Sequence, residues 1–317
     1  MALLQRTFLA LSRAAWAQQA VMRWAFAARA AKRFVAGETL AQAVEAVRAL
    51  NRRGVRATLD FLGESVTQRS EAWAAGDEYL RALDAIAHHG LIANVSLKLT
   101  QFGLDIDPQF CLENVRRVVA RAQQLGNFVR VDMEDSARTQ ATLDLVRQLH
   151  AEFGNVGAVL QAYLYRTRDD LRALVEAGVR VRLCKGAYNE PPTVAFPRKA
   201  DVDRNYAALI PIMLEQAARY PAEADGRVPP LAAFATHDAR LVELVKAEAA
   251  RRDLPREAFE FQMLYGVRPA LQTQLVQQGF AVRAYVPYGT HWYPYFMRRL
   301  AERPANVWFF VRSVFAR

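Results

Sequence analysis

The sequence predicts a (β/α)8 barrel with extra N-terminal helices and a C-terminal helix that closes over the barrel mouth. From residue 57 onward, eight short apolar runs alternate with helical patterns that are long enough to connect parallel strands. No GxGxxG motif follows the first run, which disfavours an open dinucleotide-binding sheet. The composition, 52% hydrophobic over 317 residues, can fill one large core. We therefore expect a single domain, in which a helical segment, residues 1–54, packs on a barrel, residues 55–317.

The N-terminal segment carries much of the positive charge. Six basic residues precede Glu38, the first acidic residue, in a chain whose net charge is +10. Leu4, Phe8, Leu11 and Ala15 recur at helical spacing, which predicts a basic amphipathic helix. Such a helix suits an anionic membrane surface, but it suits packing on the body of the protein equally well. A mitochondrial transit peptide has a similar composition, and the sequence leaves these interpretations open.

The remaining elements follow from capping signals and apolar periodicity. A second helix begins at a capping box formed by Thr39 and Gln42 and ends before Gly54. The predicted strands are residues 57–62, 93–99, 128–133, 156–163, 180–185, 231–237, 259–265 and 280–285. The predicted helices between them include residues 112–125, 138–150, 168–177, 203–218, 239–249 and 269–278.

A last helix is predicted after a Pro-Tyr-Gly turn that follows the eighth strand. In it Tyr295, Arg298, Arg299 and Glu302 stand at i, i+3, i+4 and i+7, which places them on one helical face. Two guanidinium groups beside a phenol suit a small ligand that carries a carboxylate, because each guanidinium can hold two oxygen atoms. The alternative is a solvated arginine pair near a helix C-terminus.

Polar residues end most of the predicted strands. Active sites of (β/α)8 barrels lie at the carboxyl ends of the strands, and burying so many polar groups without a ligand would be costly. The sequence therefore predicts a polar, mainly positive mouth that binds an anionic ligand. The strand-end residues are Lys98, Asp132, Gln161, Arg182, Lys185, Thr236, His237 and Tyr285.

Several function classes are disfavoured. The five histidines show neither HxxxH nor HxH spacing, so no metal site is expected. Cys111 and Cys184 lie in apolar stretches without a partner motif, which indicates packing roles and a reducing cytosol. The sequence has no run of 18 apolar residues, so no membrane span is expected. The body has no basic stripe with interleaved aromatic residues, so no nucleic-acid partner is expected.

Seven motifs, taken in order, resemble the proline dehydrogenase family, and in particular its short monofunctional bacterial type. The most specific are Arg-Leu-Cys-Lys-Gly-Ala-Tyr at residues 182–188 and Arg-Arg-Leu-Ala-Glu at residues 298–302. The others are Val-Ser-Leu-Lys-Leu at 95–99, Val-Asp-Met-Glu at 131–134, Gln-Ala-Tyr-Leu at 161–164, Phe-Ala-Thr-His-Asp at 234–238 and Phe-Glu-Phe-Gln-Met-Leu-Tyr-Gly at 259–266.

The resemblance implies FAD-dependent oxidation of L-proline to Δ1-pyrroline-5-carboxylate, by hydride transfer from proline C5 to flavin N5. It further implies a membrane quinone as electron acceptor and transfer of the product to a separate pyrroline-5-carboxylate dehydrogenase. We expect a cytoplasmic protein, with peripheral attachment to the inner face of the cell membrane as one alternative. Two rival functions stay open: another flavin-dependent barrel such as methylenetetrahydrofolate reductase, and a basic membrane-associated protein without enzymatic activity.

The resemblance also assigns roles to individual residues. Asp132 and Arg182 are expected to be catalytic, with Arg182 near flavin N5. Proline is expected to contact Lys98, Leu264, Tyr285, Tyr295, Arg298 and Arg299, of which the two arginines hold the carboxylate and the tyrosines and leucine enclose the ring. FAD is expected to contact Met133, Gln161, Arg182, Lys185, Gly186, Ala187, Arg198, Thr236 and His237.

Overall fold

A computed structural model of the chain describes residues 33–302. The predicted basic helix that contains Leu4 and Phe8 lies outside these residues. Eight parallel strands close into a barrel in sequence order, and β1 pairs with both β2 and β8. The strands are β1 (Arg56–Phe61), β2 (Ala93–Leu97), β3 (Val129–Val131), β4 (Val156–Gln161), β5 (Val181–Cys184), β6 (Ala232–Ala235), β7 (Phe259–Leu264) and β8 (Ala281–Tyr288). The predicted (β/α)8 fold is confirmed.

Helices connect the strands and surround the barrel. The helices of the described part are α1 (Leu40–Asn51), α2 (Arg69–His88), α3 (Pro108–Gln124), α4 (Thr139–Phe153), α5 (Thr167–Glu176), α6 (Lys199–Leu214), α7 (Ala239–Arg251), α8 (Pro269–Gln277) and α9 (Trp292–Glu302). Helix α2 gives a weak sequence signal, since its buried face includes the small residues Ala72, Ala75 and Gly76. A continuous apolar core fills the space between the strands and the helices.

Helix α1 begins as its sequence predicts. The Thr39 side chain accepts a hydrogen bond from the Gln42 backbone N–H, and the Gln42 side chain accepts one from the Thr39 backbone N–H. Val44 and Val47 are buried where this helix packs against β1 and β8. The N-terminal part of the described chain is therefore attached to the barrel wall, while its division from the barrel at residue 54 stays a prediction.

Strand β8 is longer than the sequence indicates. Pro287 and Tyr288, predicted to form a turn, continue the strand and pair with β1. Proline is tolerated there because it lacks only the N–H, and its carbonyl still accepts a 2.8 Å bond from the Ala36 N–H. The chain turns instead at Gly289, whose φ of +121° suits glycine.

Helix α9 lies at the barrel mouth, as predicted for the C-terminal helix. Phe296 of this helix packs against Phe34, with ring centroids 6.4 Å apart, and against Trp292, with centroids 6.1 Å apart. Tyr295, on the same helix, is buried and lines the cavity at the mouth. The packing of α9 thus forms one wall of the site described next.

Candidate active site

A cavity of about 610 Å³ opens at the carboxyl ends of the barrel strands. Its wall brings together nearly all the side chains predicted from the sequence that fall in the described part of the chain. These are Lys98, Asp132, Met133, Gln161, Arg182, Lys185, Gly186, Ala187, Thr236, His237, Leu264, Tyr285 and Tyr295. The polar strand ends therefore converge on one cavity, as the geometry of a barrel predicts, while the roles of the individual residues stay predictions.

Three predicted residues are not placed on the wall. Arg198 precedes α6 with its side chain 78% exposed and pairs with Asp201 at 2.6 Å, outside the residues that line the cavity. The Arg198 guanidinium is thus paired with a residue one turn along the same helix. The role of Arg198 in ligand binding stays a prediction. Arg298 and Arg299 belong to α9, but their side chains lie outside the described part of the chain.

Asp132 is the centre of a hydrogen-bonded cluster in this wall. Its Oδ1 atom accepts a 2.7 Å bond from Arg182 Nη1 and a 2.7 Å bond from the Ser96 hydroxyl. Its Oδ2 atom accepts a 2.6 Å bond from the Tyr285 hydroxyl, and Lys98 Nζ lies 3.7 Å from the same atom. Four strands, β2, β3, β5 and β8, are linked through this one carboxylate.

The surroundings of Asp132 keep it ionised. Burial opposes ionisation, but the positive charges of Arg182 and Lys98 together with hydrogen bonds from Tyr285 and Ser96 hold its pKa below the ordinary value. Such a carboxylate is a poor proton acceptor near neutral pH, and its two oxygen atoms already accept three hydrogen bonds. The geometry therefore suits Asp132 to holding Arg182 and Tyr285 in place.

Lys98 joins this cluster to a second carboxylate, Asp60, which the strand-end pattern does not indicate. Lys98 Nζ lies 2.9 Å from Asp60 Oδ1, and Asp60 is completely buried. Burial opposes a charge on Lys98, but Asp60 and Asp132 outweigh it and raise the pKa of the lysine. Burial likewise raises the pKa of Asp60, even with the lysine beside it. The mouth thus contains an ammonium group held between two carboxylates.

The segment after β5 forms the opposite part of the wall. Lys185 Nζ lies 2.5 Å from Asp203 Oδ1 and 3.4 Å from Asp238 Oδ2. The next residue, Gly186, has a φ of +114°, and a Cβ atom there would overlap the Tyr163 ring. Only glycine fits this position against Tyr163, and Gly186 also lines the cavity, where its backbone is within reach of a ligand.

The ends of β6 and β7 complete the wall. The Thr236 hydroxyl accepts a 3.1 Å bond from the Asp238 N–H, which stabilises the turn into α7. His237 Nε2 accepts a 3.0 Å bond from the Leu264 N–H, so the proton of the neutral ring lies on Nδ1. This contact fixes the imidazole to the neighbouring strand end.

Apolar and neutral side chains cover the remaining surface. Gln161 at the end of β4 donates a 2.9 Å bond to the Glu134 carbonyl, and Met133 lines the cavity beside it. Cys184 packs against the core as its sequence predicts, but it also lines the cavity. Cations and apolar groups in one cavity suit a ligand with a flat ring and an anionic tail.

Several residues of the site could not be selected by the strand-end rule. Glu134, Asp60 and Ser96 support the wall from behind, and Gln262 and Lys199 line the cavity directly. The available signal for Asp60, Ser96 and Gln262 was their alternation with apolar residues inside predicted strands, which indicates a polar face inside the barrel.

A second cavity of about 520 Å³ adjoins the first. Lys98 and Tyr295 line both cavities and so form a shared boundary. Carboxylates are frequent in the second wall, with Glu64, Glu71 and Glu78 among its residues.

Residues 33–302 contain no group of three or more His, Cys, Asp or Glu side chains arranged to hold a metal ion. Within the same range, no helix combines the length and the apolar character needed to cross a membrane.

Comparison with known proteins yields one consistent family. The sequence profile described as "Proline dehydrogenase" matches residues 43–312. The chain is 42% identical over 284 residues to Proline dehydrogenase 1 of Bacillus subtilis (strain 168), which covers 90% of each chain. It is 42% identical over 289 residues to the Proline dehydrogenase of Deinococcus radiodurans, covering 90% of this chain and 89% of the relative.

The fold has a counterpart among longer proteins of known structure. The crystal structure of proline utilization A (PutA) from Bdellovibrio bacteriovorus, inactivated by N-propargylglycine, superposes with a TM-score of 0.79 at 27% identity. The match covers 92% of this chain and 34% of that protein, so the chain spans about a third of its length.

Proposed function

The chain belongs to the proline dehydrogenase family and has that family's enzymatic activity, and we propose that it oxidises L-proline to Δ1-pyrroline-5-carboxylate with FAD as its cofactor. The observation that carries this proposal is the cluster of Asp132, Arg182, Tyr285 and Lys98 on the wall of the 610 Å³ cavity. It provides a fixed guanidinium beside a fixed aromatic ring, in a position open to a ligand.

The residues of the cavity fit a flavin dinucleotide. Gly186 directly follows Lys185 and lines the cavity together with the cations Arg182, Lys199 and Arg268. Positive groups and exposed backbone suit a pyrophosphate, whereas Met133 and the apolar strand ends suit a flat ring. We assign Met133, Gln161, Arg182, Lys185, Gly186, Ala187, Thr236 and His237 to FAD contact, and we keep Arg198 as a predicted contact.

The substrate is assigned to the part of the cavity nearest α9. Tyr285, Tyr295 and Leu264 provide surfaces for a small aliphatic ring. Arg298 and Arg299, predicted from their spacing after Tyr295, are assigned to the carboxylate, because a guanidinium binds a carboxylate through two hydrogen bonds. Lys98 adds a positive charge to the wall of the same cavity, which Tyr295 also lines.

The chain's own residues contribute mainly by positioning. When bound, FAD supplies the chemistry of hydride acceptance. Carboxylate binding and the aromatic walls restrict the orientation of proline, and such restriction can lower an activation barrier by about 7 kcal/mol in favourable cases. Arg182, held by Asp132, presents a permanent positive charge to the cavity, which stabilises negative charge that develops nearby.

We propose that the electrons leave to a membrane quinone and that the product passes to a separate pyrroline-5-carboxylate dehydrogenase. Both assignments rest on family membership. We further propose a cytoplasmic protein that attaches peripherally to the membrane. Binding of the full chain and of a variant without residues 1–32 to anionic vesicles tests this attachment, and equal binding would reject the N-terminal segment as the anchor.

The proposed activity is tested by anaerobic absorbance titration of the purified protein. We expect L-proline, but not D-proline, to bleach a flavin band near about 450 nm. Bleaching by methylenetetrahydrofolate instead would support the rival barrel reductase. A protein that binds no flavin after addition of FAD, yet binds polyanions in a salt-dependent manner, would support the non-enzymatic alternative.

A further inference from the structure

A row of buried polar side chains runs inside the barrel from near the amino-terminal ends of β7 and β8 to the mouth. It consists of Arg283, Glu260, Gln262, Arg182 and Asp132, in that order, and each member hydrogen-bonds to the next. All five are buried. Replacing buried ion pairs by well-packed apolar residues is often neutral or stabilising, so the presence of this row calls for an explanation.

Glu260 is the fixed acceptor of this row. Arg283 donates to it twice, from Nε to Oε1 at 2.8 Å and from Nη2 to Oε2 at 3.1 Å. The other N–H groups of Arg283 bond to the carbonyls of Ala57 and Gly226, both at 2.8 Å. Burial opposes ionisation of Glu260, but Arg283 and Arg56 hold its pKa below the ordinary value. An ionised carboxylate can only accept hydrogen bonds.

This property of Glu260 determines the direction of the Gln262 amide. Gln262 Nε2 donates to Glu260 Oε1 at 2.5 Å, and Gln262 Oε1 accepts from Arg182 Nε. With the amide reversed, its oxygen would face the carboxylate and its NH2 group would face the guanidinium, so both contacts would become repulsive. The amide is therefore held in one orientation by a charge on each side.

Arg182 is in turn held at two edges. Gln262 binds its Nε, and Asp132 and the Ser96 hydroxyl bind its Nη1, at 2.7 and 3.3 Å. The Tyr285 ring lies on its face, 5.2 Å from the guanidinium carbon. With Asp132 as the only acceptor, the Arg182 guanidinium could still rotate about its contact with that carboxylate. Acceptors at two different edges, Asp132 and Gln262, fix the plane of the guanidinium.

We propose that Gln262 is a positioning residue for Arg182, and that Glu260, anchored by Arg283, sets the direction of the Gln262 amide. The proposal rests on the proposed function, because it takes Arg182 to face the bound cofactor and substrate. It extends that function to a pair of buried residues in β7 that act through Arg182.

The test compares Gln262→Leu and Gln262→Met with the wild type. Either change removes the acceptor from Arg182 Nε, and we expect kcat to fall about ten-fold or more, with KM for proline changed less than about two-fold. We also expect the visible spectrum of added FAD to shift in the variants, because a displaced guanidinium alters the charge beside the ring. This spectrum is recorded on the oxidised protein without turnover. Gln262→Met is included in case Gln262→Leu does not fold, because methionine preserves the length of the side chain.

The matched control is Asn127→Ala. Asn127 is a buried amide that also uses both ends, donating to the Ala93 carbonyl at 3.1 Å and accepting from the Phe128 N–H at 2.7 Å, but it lies before β3 and away from the cavity. We expect this variant to lose thermal stability without a change in kcat or in the flavin spectrum. A loss of kcat that follows thermal stability in all three variants would overturn the positioning role.

A double-mutant cycle separates action through Arg182 from an independent effect. In an Arg182→Met background, we expect Gln262→Met to change neither kcat nor the flavin spectrum further. Additive effects in the two backgrounds would overturn the proposal. Its failure is distinct from failure of the proposed function, because bleaching of the wild-type flavin by L-proline decides the latter alone.

Discussion

The Tyr285 hydroxyl donates a 2.6 Å hydrogen bond to Asp132 Oδ2 and so joins β8 to the end of β3, although the two residues are 153 positions apart in the sequence. The same phenol oxygen lies 3.4 Å from Lys98 Nζ, and the guanidinium of Arg182 lies over the Tyr285 ring. Tyr285 therefore contacts an anion and two cations while it presents its ring to the cavity. These contacts with Asp132, Lys98 and Arg182 help to fix the position of the Tyr285 side chain.

Tyr285→Phe isolates the hydroxyl group. The ring is retained, but Asp132 loses one of the hydrogen bonds that stabilise its charge, so we expect kcat/KM for proline to fall about ten-fold. Steady-state kinetics measure the effect. Tyr206→Phe serves as the control, because it removes a buried hydroxyl that donates to the Leu183 carbonyl at 3.1 Å without touching Asp132. Equal activities of the two variants would contradict the role given to the phenol.

Lys98→Met tests the ammonium between two carboxylates. The change leaves Asp60 buried without its 2.9 Å partner, and removal of one member of a buried ion pair costs about 3–5 kcal/mol of unfolding free energy. Chemical denaturation at a pH of about 7.5 measures this loss. We expect Lys98→Met/Asp60→Asn to recover most of it, because the unpaired charge is then absent.

The loss in Lys98→Met should also depend on pH. Burial already raises the pKa of Asp60 in the folded protein, and removal of the lysine raises it further. A carboxyl group with a raised folded-state pKa destabilises the fold fully above that pKa, and this penalty shrinks as the pH falls from the folded-state pKa to the unfolded-state pKa. The variant should therefore approach wild-type stability as the pH falls from neutral toward the ordinary aspartate pKa of about 3.9. A gap that widens on acidification would contradict the assignment.

Much of the fold and the mouth could be predicted from sequence because both depend on local patterns. Each strand is a short apolar run, and the carboxyl ends of parallel strands meet at one face, so Lys98, Asp132, Arg182 and Tyr285 could be grouped without knowing a single contact. The capping box at Thr39 is likewise a local signal that the structure reproduces.

The remaining parts depend on contacts between distant segments. Asp60 and Glu260 lie within strands, and only their partners Lys98 and Arg283, 38 and 23 residues away, identify them as buried charges. The alternation of polar and apolar residues places such a residue on a polar face of its strand, but it does not show which partner neutralises the charge. Arg198 illustrates the converse, because the family resemblance assigns it to FAD contact whereas its exposed side chain pairs with Asp201, so the assignment stays a prediction.

Gly186→Ala tests the open backbone after β5. A Cβ atom at Gly186 would overlap the Tyr163 ring, and a non-glycine residue at positive φ costs about 1–3 kcal/mol in addition. We expect weaker FAD binding, by about ten-fold or more, together with lower thermal stability. Gly126→Ala is the control, since Gly126 also has a positive φ, +57°, but a methyl group added there would have no other atom within 4 Å. Unchanged FAD affinity in Gly186→Ala would contradict the role given to this backbone.

Glu190→Gln tests the attachment of the segment between β5 and α6. The Glu190 carboxylate accepts bonds from the Ser136 N–H at 2.7 Å and from the Ser136 hydroxyl at 2.5 Å, and so ties this segment to the short helical turn that follows β3, Ser136–Arg138. A glutamine keeps the bond from the Ser136 N–H through its oxygen and can donate from its NH2 group to the Ser136 hydroxyl, but both bonds then lose the charge of the carboxylate. We therefore expect faster hydrogen exchange in residues 185–198, by about ten-fold, because the local opening free energy falls by roughly the value of one charged hydrogen bond.

Hydrogen exchange followed by mass spectrometry measures this opening peptide by peptide. Glu176→Gln, an exposed change at the end of α5, controls for the loss of one negative charge. Because Lys185, Gly186 and Ala187 belong to the same segment, FAD should bind more weakly to Glu190→Gln and should restore part of its protection when added in excess. Wild-type exchange rates in residues 185–198 would show that the segment is held by its other contacts, such as the bridge between Leu164 and Ala195, and not by Glu190.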